Sequence, residues 1–201
     1  MASTFTRVAL LRRSACGGAA LVASGAVASA VAGSASAATV PDGDLAYLRL
    51  LIGAELLAAD FQTRALGSGK LAAGQSALVR KLLADEQAHY AGLAQLLASS
   101  GQTPATADDV DFSYPARGFA SAGAIAKLAV EIETLSLGAC LGAVENVQTA
   151  SLRLPIAQIA GNEAQHVGAV SPWLGRPAIG RAFAPAWPIG AVSDALDAYE
   201  G

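Results

Sequence analysis

Histidine is nearly missing from this chain of 201 residues, which holds only His89 and His166. Cysteine is as scarce. Of Cys16 and Cys140, only Cys140 lies beyond the first 37 residues, so a chain cut there can form no internal disulfide. Aromatic residues make up 5% and β-branched runs are few, which leaves little from which to build a sheet. No basic run occurs and acids outnumber cations, 16 to 13, which argues against nucleic acid as a partner. What the chain does have is alanine, leucine and glycine, within a composition that is 53% hydrophobic. That balance predicts an all-α fold, with enough chain for one domain and its core.

The first 37 residues read differently from the rest. Arg7, Arg12 and Arg13 make a basic start, Ala15–Val31 is a weakly apolar Gly/Ala run, and Ala35-Ser36-Ala37 offers a cleavage site. This pattern predicts an export signal over residues 1–37 and a folded domain over 38–201. The Arg12-Arg13 pair resembles a twin-arginine signal, matched in part by Ser14-Ala15-Cys16. An uncleaved membrane anchor is the alternative. A lipoprotein anchor is disfavoured, because no apolar residue stands three positions before Cys16. Cleavage removes three arginines and no acid, leaving ten cations against sixteen acids, a charge of −6. The predicted location is periplasmic, cell-wall or extracellular, with no membrane contact once the signal is cut.

Beyond the signal the pattern predicts four helices. The first spans Asp42–Leu66, with Asp42 or Asp44 to cap it, and Gly67-Ser68-Gly69 breaks it. The second spans Gln75–Ala98. Residues 101–120, with Pro104, Pro115 and the acids Asp108, Asp109 and Asp111, read as a connection. The third spans Ser121–Gln148, and the fourth opens with Pro155 in its first turn and ends before Pro172. A short helix over Ser193–Tyr199 follows the proline-rich tail. Short, long and short links predict a four-helix bundle with one long crossover between the second and third helices.

The two histidines are where chemistry enters. Each closes an E-x-x-H, Glu86-Gln87-Ala88-His89 and Glu163-Ala164-Gln165-His166, and the spacing sets each pair on one helix face. Seven glutamates in the whole chain make coincidence at both histidines a poor account. Both pairs interrupt apolar rows: Leu78, Leu82, Leu93 and Leu96 in the second helix; Leu152, Ile156, Ile159 and Val170 in the fourth. The first helix carries Leu48, Ile52, Glu55, Ala59, Gln62 and Leu66 in a row with one acid, Glu55. The third carries Ala129, Glu133, Leu137, Cys140 and Val144, again with one acid, Glu133. Glu131, Glu145 and Asp60 lie off these rows. Gln62 reads as a cap on the polar cavity, and Tyr90 and Cys140 as packing residues.

A carboxylate buried without a cation would be costly or would take up a proton. Four glutamates and two histidines on four helices form a di-metal carboxylate constellation, in which four carboxylates balance two divalent cations. Mixed oxygen and imidazole ligation suits iron first and manganese second, while zinc could bind without redox chemistry. Open positions on such ions would admit dioxygen or peroxide.

These residues resemble the ferritin-like superfamily, over about residues 44–200, and within it the exported branch that includes desiccation-related proteins. GAELLAADF, ADEQAHY, EIETLSLGACLGAV and GNEAQH are similar to the four ligand-bearing helix segments of that branch, and RAFAPAWPIGAVSDAL to its C-terminal segment. Members often have a tyrosine where Cys140 stands. The resemblance implies metal ligation by Glu55, Glu86, His89, Glu133, Glu163 and His166, and oxidation of ferrous iron or reduction or disproportionation of peroxide. The alternative it allows is a non-enzymatic secreted stress or desiccation-related bundle, with a structural or vestigial metal. The tail has no helix of the kind that lines a cage channel, so a monomer or dimer is expected rather than a cage.

Overall fold

The computed structural model describes residues 40–201. The export signal and its alternatives lie outside the described residues. Five α-helices follow in order: α1 (Asp42–Gly67), α2 (Ala73–Ser99), α3 (Ala122–Asn146), α4 (Ala150–Val170) and α5 (Ile189–Asp197). Short 3₁₀ turns occur at Ala107–Asp109 and Ser171–Leu174. Among the described residues there is no β-strand, only an isolated bridge between Phe112 and Glu200. No helix among them is long and apolar enough to cross a membrane.

α1 packs on α2 and α3 on α4, each pair joined by a short link, at residues 68–72 and 147–149. α1 also packs on α3, and α2 meets α4 more loosely. Residues 100–121 make the single long crossover, as the link lengths predict. The crossover is sewn to the tail: Ser113 N–H donates to the Tyr199 carbonyl at 2.8 Å and Gly201 N–H to the Asp111 carbonyl at 3.1 Å. The tail also lies against α3. A Cβ built at Gly142 would stand 1.9 Å from the Trp187 carbonyl oxygen, and Trp187 N–H donates to the Gly138 carbonyl at 2.9 Å. Glycine is what lets the chain pass there.

Four expectations need correction. The Asp44 side chain does not cap α1, whose flanking residue is Pro41, nor does Asp42. Asp44 is buried instead against the link between α3 and α4, where its carboxylate accepts from Gln148 N–H at 2.9 Å and Thr149 N–H at 2.7 Å. Those bonds satisfy backbone groups that the start of α4 would leave orphaned. With Arg153 also donating to the Val147 carbonyl, α4 begins at Ala150. Pro155 therefore lies inside the helix rather than in its first turn.

α5 starts at Ile189, directly after Pro188, and ends at Asp197, so it sits earlier than the sequence pattern placed it. In α2 the fully buried flanks of the row are Val79 and Leu97, not Leu78 and Leu96. Steps of 7 and 11 residues from Glu86 return to within about 20° of its direction, whereas 8 and 10 miss by about 80°.

The core is divided along the bundle axis. One apolar cluster holds Leu48, Leu51, Leu93, Leu97, Leu152 and Ile156. The other holds Phe61, Val79, Leu82, Ile125, Ile132 and Val170. Every one of the four long helices passes from one cluster to the other, and each carries a glutamate at the crossing point.

Candidate metal centre

Glu55 on α1, Glu86 on α2, Glu133 on α3 and Glu163 on α4 are all fully buried, and His166 is 2% exposed. The His89 side chain is 11% exposed. All six residues read from the sequence meet in the layer between the two apolar clusters. They form two overlapping groups, Glu55–Glu86–His89–Glu163 and Glu86–Glu133–Glu163–His166. Within each group, one ligating atom per residue lies within 4.8 Å of the others.

Glu86 and Glu163 belong to both groups, and each divides its two oxygens between the two histidines. Glu163 Oε1 is 3.0 Å from His89 Nδ1 while its Oε2 is 3.6 Å from His166 Nδ1. Glu86 Oε2 is 3.5 Å from His89 Nδ1 while its Oε1 is 3.0 Å from His166 Nδ1. Glu55 and Glu133 serve one side each, at 3.3 Å from His89 Nδ1 and 3.2 Å from His166 Nδ1. The two imidazole rings lie parallel to within 26°, with centroids 5.9 Å apart. Both present Nδ1 to the carboxylates.

Both oxygens of Glu55, Glu86 and Glu163, together with His89 Nδ1, are buried without a hydrogen-bond partner. The histidine nitrogens are within ion-pair reach, but a single Nδ1–H cannot serve three carboxylates. Leaving such groups unsatisfied costs several kcal/mol in an apolar surrounding. A pair of divalent cations would satisfy all of them at once, so the donor set fits a metal pair.

Protons hold the charge balance when no metal does. Burial pushes the carboxyls of Glu55 and Glu133 well above the ordinary carboxylate range, and neighbouring glutamates add to it. Burial opposes charge on Glu86 too, but the neighbouring His166, His89 and Glu55 outweigh it and pull its carboxyl down to about 2. Burial likewise disfavours the charged imidazoles, yet Glu163, Glu55 and Glu86 push His89 up to about 12. His166 is raised by Glu133, Glu163 and Glu86. Metal binding must expel such protons.

Two supporting groups favour one side of the site. Gln62 Nε2 donates to Glu133 Oε1 at 2.7 Å, which is the capping role read from its place in the α1 row. Asp85 Oδ2 is 3.4 Å from His166 Nε2, the nitrogen turned away from the carboxylates, and holds that ring by its far edge. Asp85 is also paired with Lys81. The sequence reading missed it, because it sits one residue before Glu86 and off the row. A carboxylate adjoining an E-x-x-H was the available signal. Glu131 and Glu145, off the rows in sequence, are exposed, and Asp60 is bound to Arg64 and Tyr114 outside the layer. The Tyr90 hydroxyl donates to the Ala105 carbonyl, pinning the crossover, which is a packing role. Cys140 is buried in the core, and burial, then Glu55, Glu163 and Glu86, push its thiol up so that it stays protonated.

A four-helix bundle with a carboxylate–histidine layer at its centre defines a class of protein with the donors for a metal pair. The ferritin-like domain family matches residues 43–176, and the chain belongs to that family. No curated protein matches it.

Proposed function

We propose that the chain is an exported di-metal carboxylate protein that oxidises ferrous iron or reduces or disproportionates peroxide. One observation carries this reading: Glu86 and Glu163 each split their oxygens between two four-residue groups that share one buried layer. Iron is the first choice for these donors and manganese the second. A bound pair would supply one-electron steps at two adjacent centres and open positions for dioxygen or peroxide.

The protein's own residues do the rest. Glu55 and Glu133 would hold one position each, Glu86 and Glu163 would serve both, and His89 and His166 would close the two ends. The apolar clusters on either side keep bulk water out of the layer. Gln62 and Asp85 fix Glu133 and His166 before any cation arrives. Export through a twin-arginine-type signal would suit a protein carried already folded and metal-loaded, and the resemblance to desiccation-related proteins would suit a stress role outside the cytoplasm. The expected assembly is a monomer or dimer.

The test is to follow ferric absorbance after adding ferrous iron, and peroxide consumption with iron or manganese, in wild type and Glu86→Ala. Turnover in wild type, lost in the variant, is the expected result. Its form, with iron and dioxygen or with peroxide, selects between the activities. A metal-loaded protein inert in both assays would leave the structural-metal reading in its place.

A further inference from the structure

A cavity of about 510 Å³ lies beneath the crossover, between it and α1 and α2. Glu55, Ala59 and Asp60 line it from α1, Gln87 and Tyr90 from α2, and Asp108 and Asp111 from the crossover. Asp108 and Asp111 are exposed at its outer side. Asp60 is already engaged, accepting from Arg64 at 2.7 Å and from the Tyr114 hydroxyl at 2.9 Å, so Arg64, also in the lining, is matched. The uncompensated charge is therefore negative. At the inner side stands Glu55, fully buried with neither carboxylate oxygen hydrogen-bonded.

A second opening reaches the layer from the other face. The groove between α2 and α4, about 420 Å³, is lined by His89, Ala88, Gly92, Leu96, Gln158 and Asn162 among others, with no acid or lysine or arginine. The two openings differ in the cargo they favour. A cation leaving water is drawn to the acidic cavity and gains nothing in a groove that has no acid.

We propose that divalent cations reach the buried layer through the cavity under the crossover, attracted by Asp108 and Asp111 and received by Glu55. This rests on the reading of the six buried residues as metal ligands. It also gives a use to the crossover acids, which the fold alone does not require.

The experiment follows Co²⁺ loading of the full chain by its visible absorption in stopped flow. Wild type is compared with Asp108→Asn/Asp111→Asn, Ala59→Leu and Ala88→Leu. The double asparagine variant is expected to load about threefold to tenfold more slowly at low ionic strength. The gap should close in high salt, and the final absorbance should be unchanged. Ala59→Leu, which narrows the inner side of the cavity, is expected to slow loading at any salt concentration. Ala88→Leu, in the α2–α4 groove, should leave it unchanged. Loading by both cavity variants at the wild-type rate would overturn the route, as would slowing by Ala88→Leu alone. No Co²⁺ band in wild type at equilibrium would instead remove the ligand reading, and the route with it.

Discussion

Gln62 and Cys140 show how unevenly the centre is supported. Gln62 lies seven residues after Glu55, and Cys140 seven after Glu133, so they hold corresponding places on α1 and α3. Gln62 reaches across to bind Glu133, while Glu55 has no hydrogen-bond partner. His166 is braced by Asp85, and among the described residues no such contact braces the outer nitrogen of His89. The Glu133–His166 position is thus preorganised, and the Glu55–His89 position is the one that adjoins both openings. Zn²⁺ titration by calorimetry should resolve two unequal steps. Gln62→Leu should weaken the tighter one by about 10- to 100-fold, the usual loss when a group orienting a ligand is removed. Two equal steps, or a Gln62→Leu isotherm identical to wild type, would contradict the asymmetry. The six residues of the layer were legible because each sits in an apolar row, where a polar residue is conspicuous. Asp85 was not, since off the row an aspartate looks like any solvated side chain.

At the level of elements, the four long helices and the crossover could be read from periodicity and from where glycine and proline cluster. The boundaries that moved are those set by tertiary contact. α4 starts at Ala150 because Asp44, more than a hundred residues earlier, caps its approach, and no local pattern reveals that. α1 is buried on all sides from Leu51 to Ala58, since α5 and α3 cover what the pattern left as a free face. Asp44→Ala removes two charge-assisted bonds to backbone N–H groups and should cost about 1.5–3 kcal/mol each at most. Burial works against the Asp44 charge, but Thr149, Gln148 and Arg153 together hold its carboxyl below the ordinary value. Its contribution is therefore complete above the unfolded carboxylate pKa and is lost as pH falls through the lowered folded value. Urea denaturation should show a wild-type advantage over Asp44→Ala that is full at neutral pH and shrinks below about pH 4. An advantage independent of pH would show that the charge is not what stabilises the link.

At the scale of the whole, the described residues make two apolar cores with a polar layer between them, roofed on one side by a crossover that the C-terminal tail holds in place. The composition made the all-α class plain, and the paired E-x-x-H motifs made the layer plain. The tail's path could not be read, because it depends on the fit of Trp187 over Gly138 and Gly142 rather than on any periodic pattern. The layer is stable in its present form only if protons or cations balance four buried carboxylates, and cations satisfy more of the orphaned oxygens. The direct test is elemental analysis of protein purified from metal-replete cells, beside a Glu163→Ala/His166→Ala variant. About two iron or manganese ions per chain, lost in the variant, is the result we expect. Wild-type protein with its helical fold intact and no bound metal would contradict it.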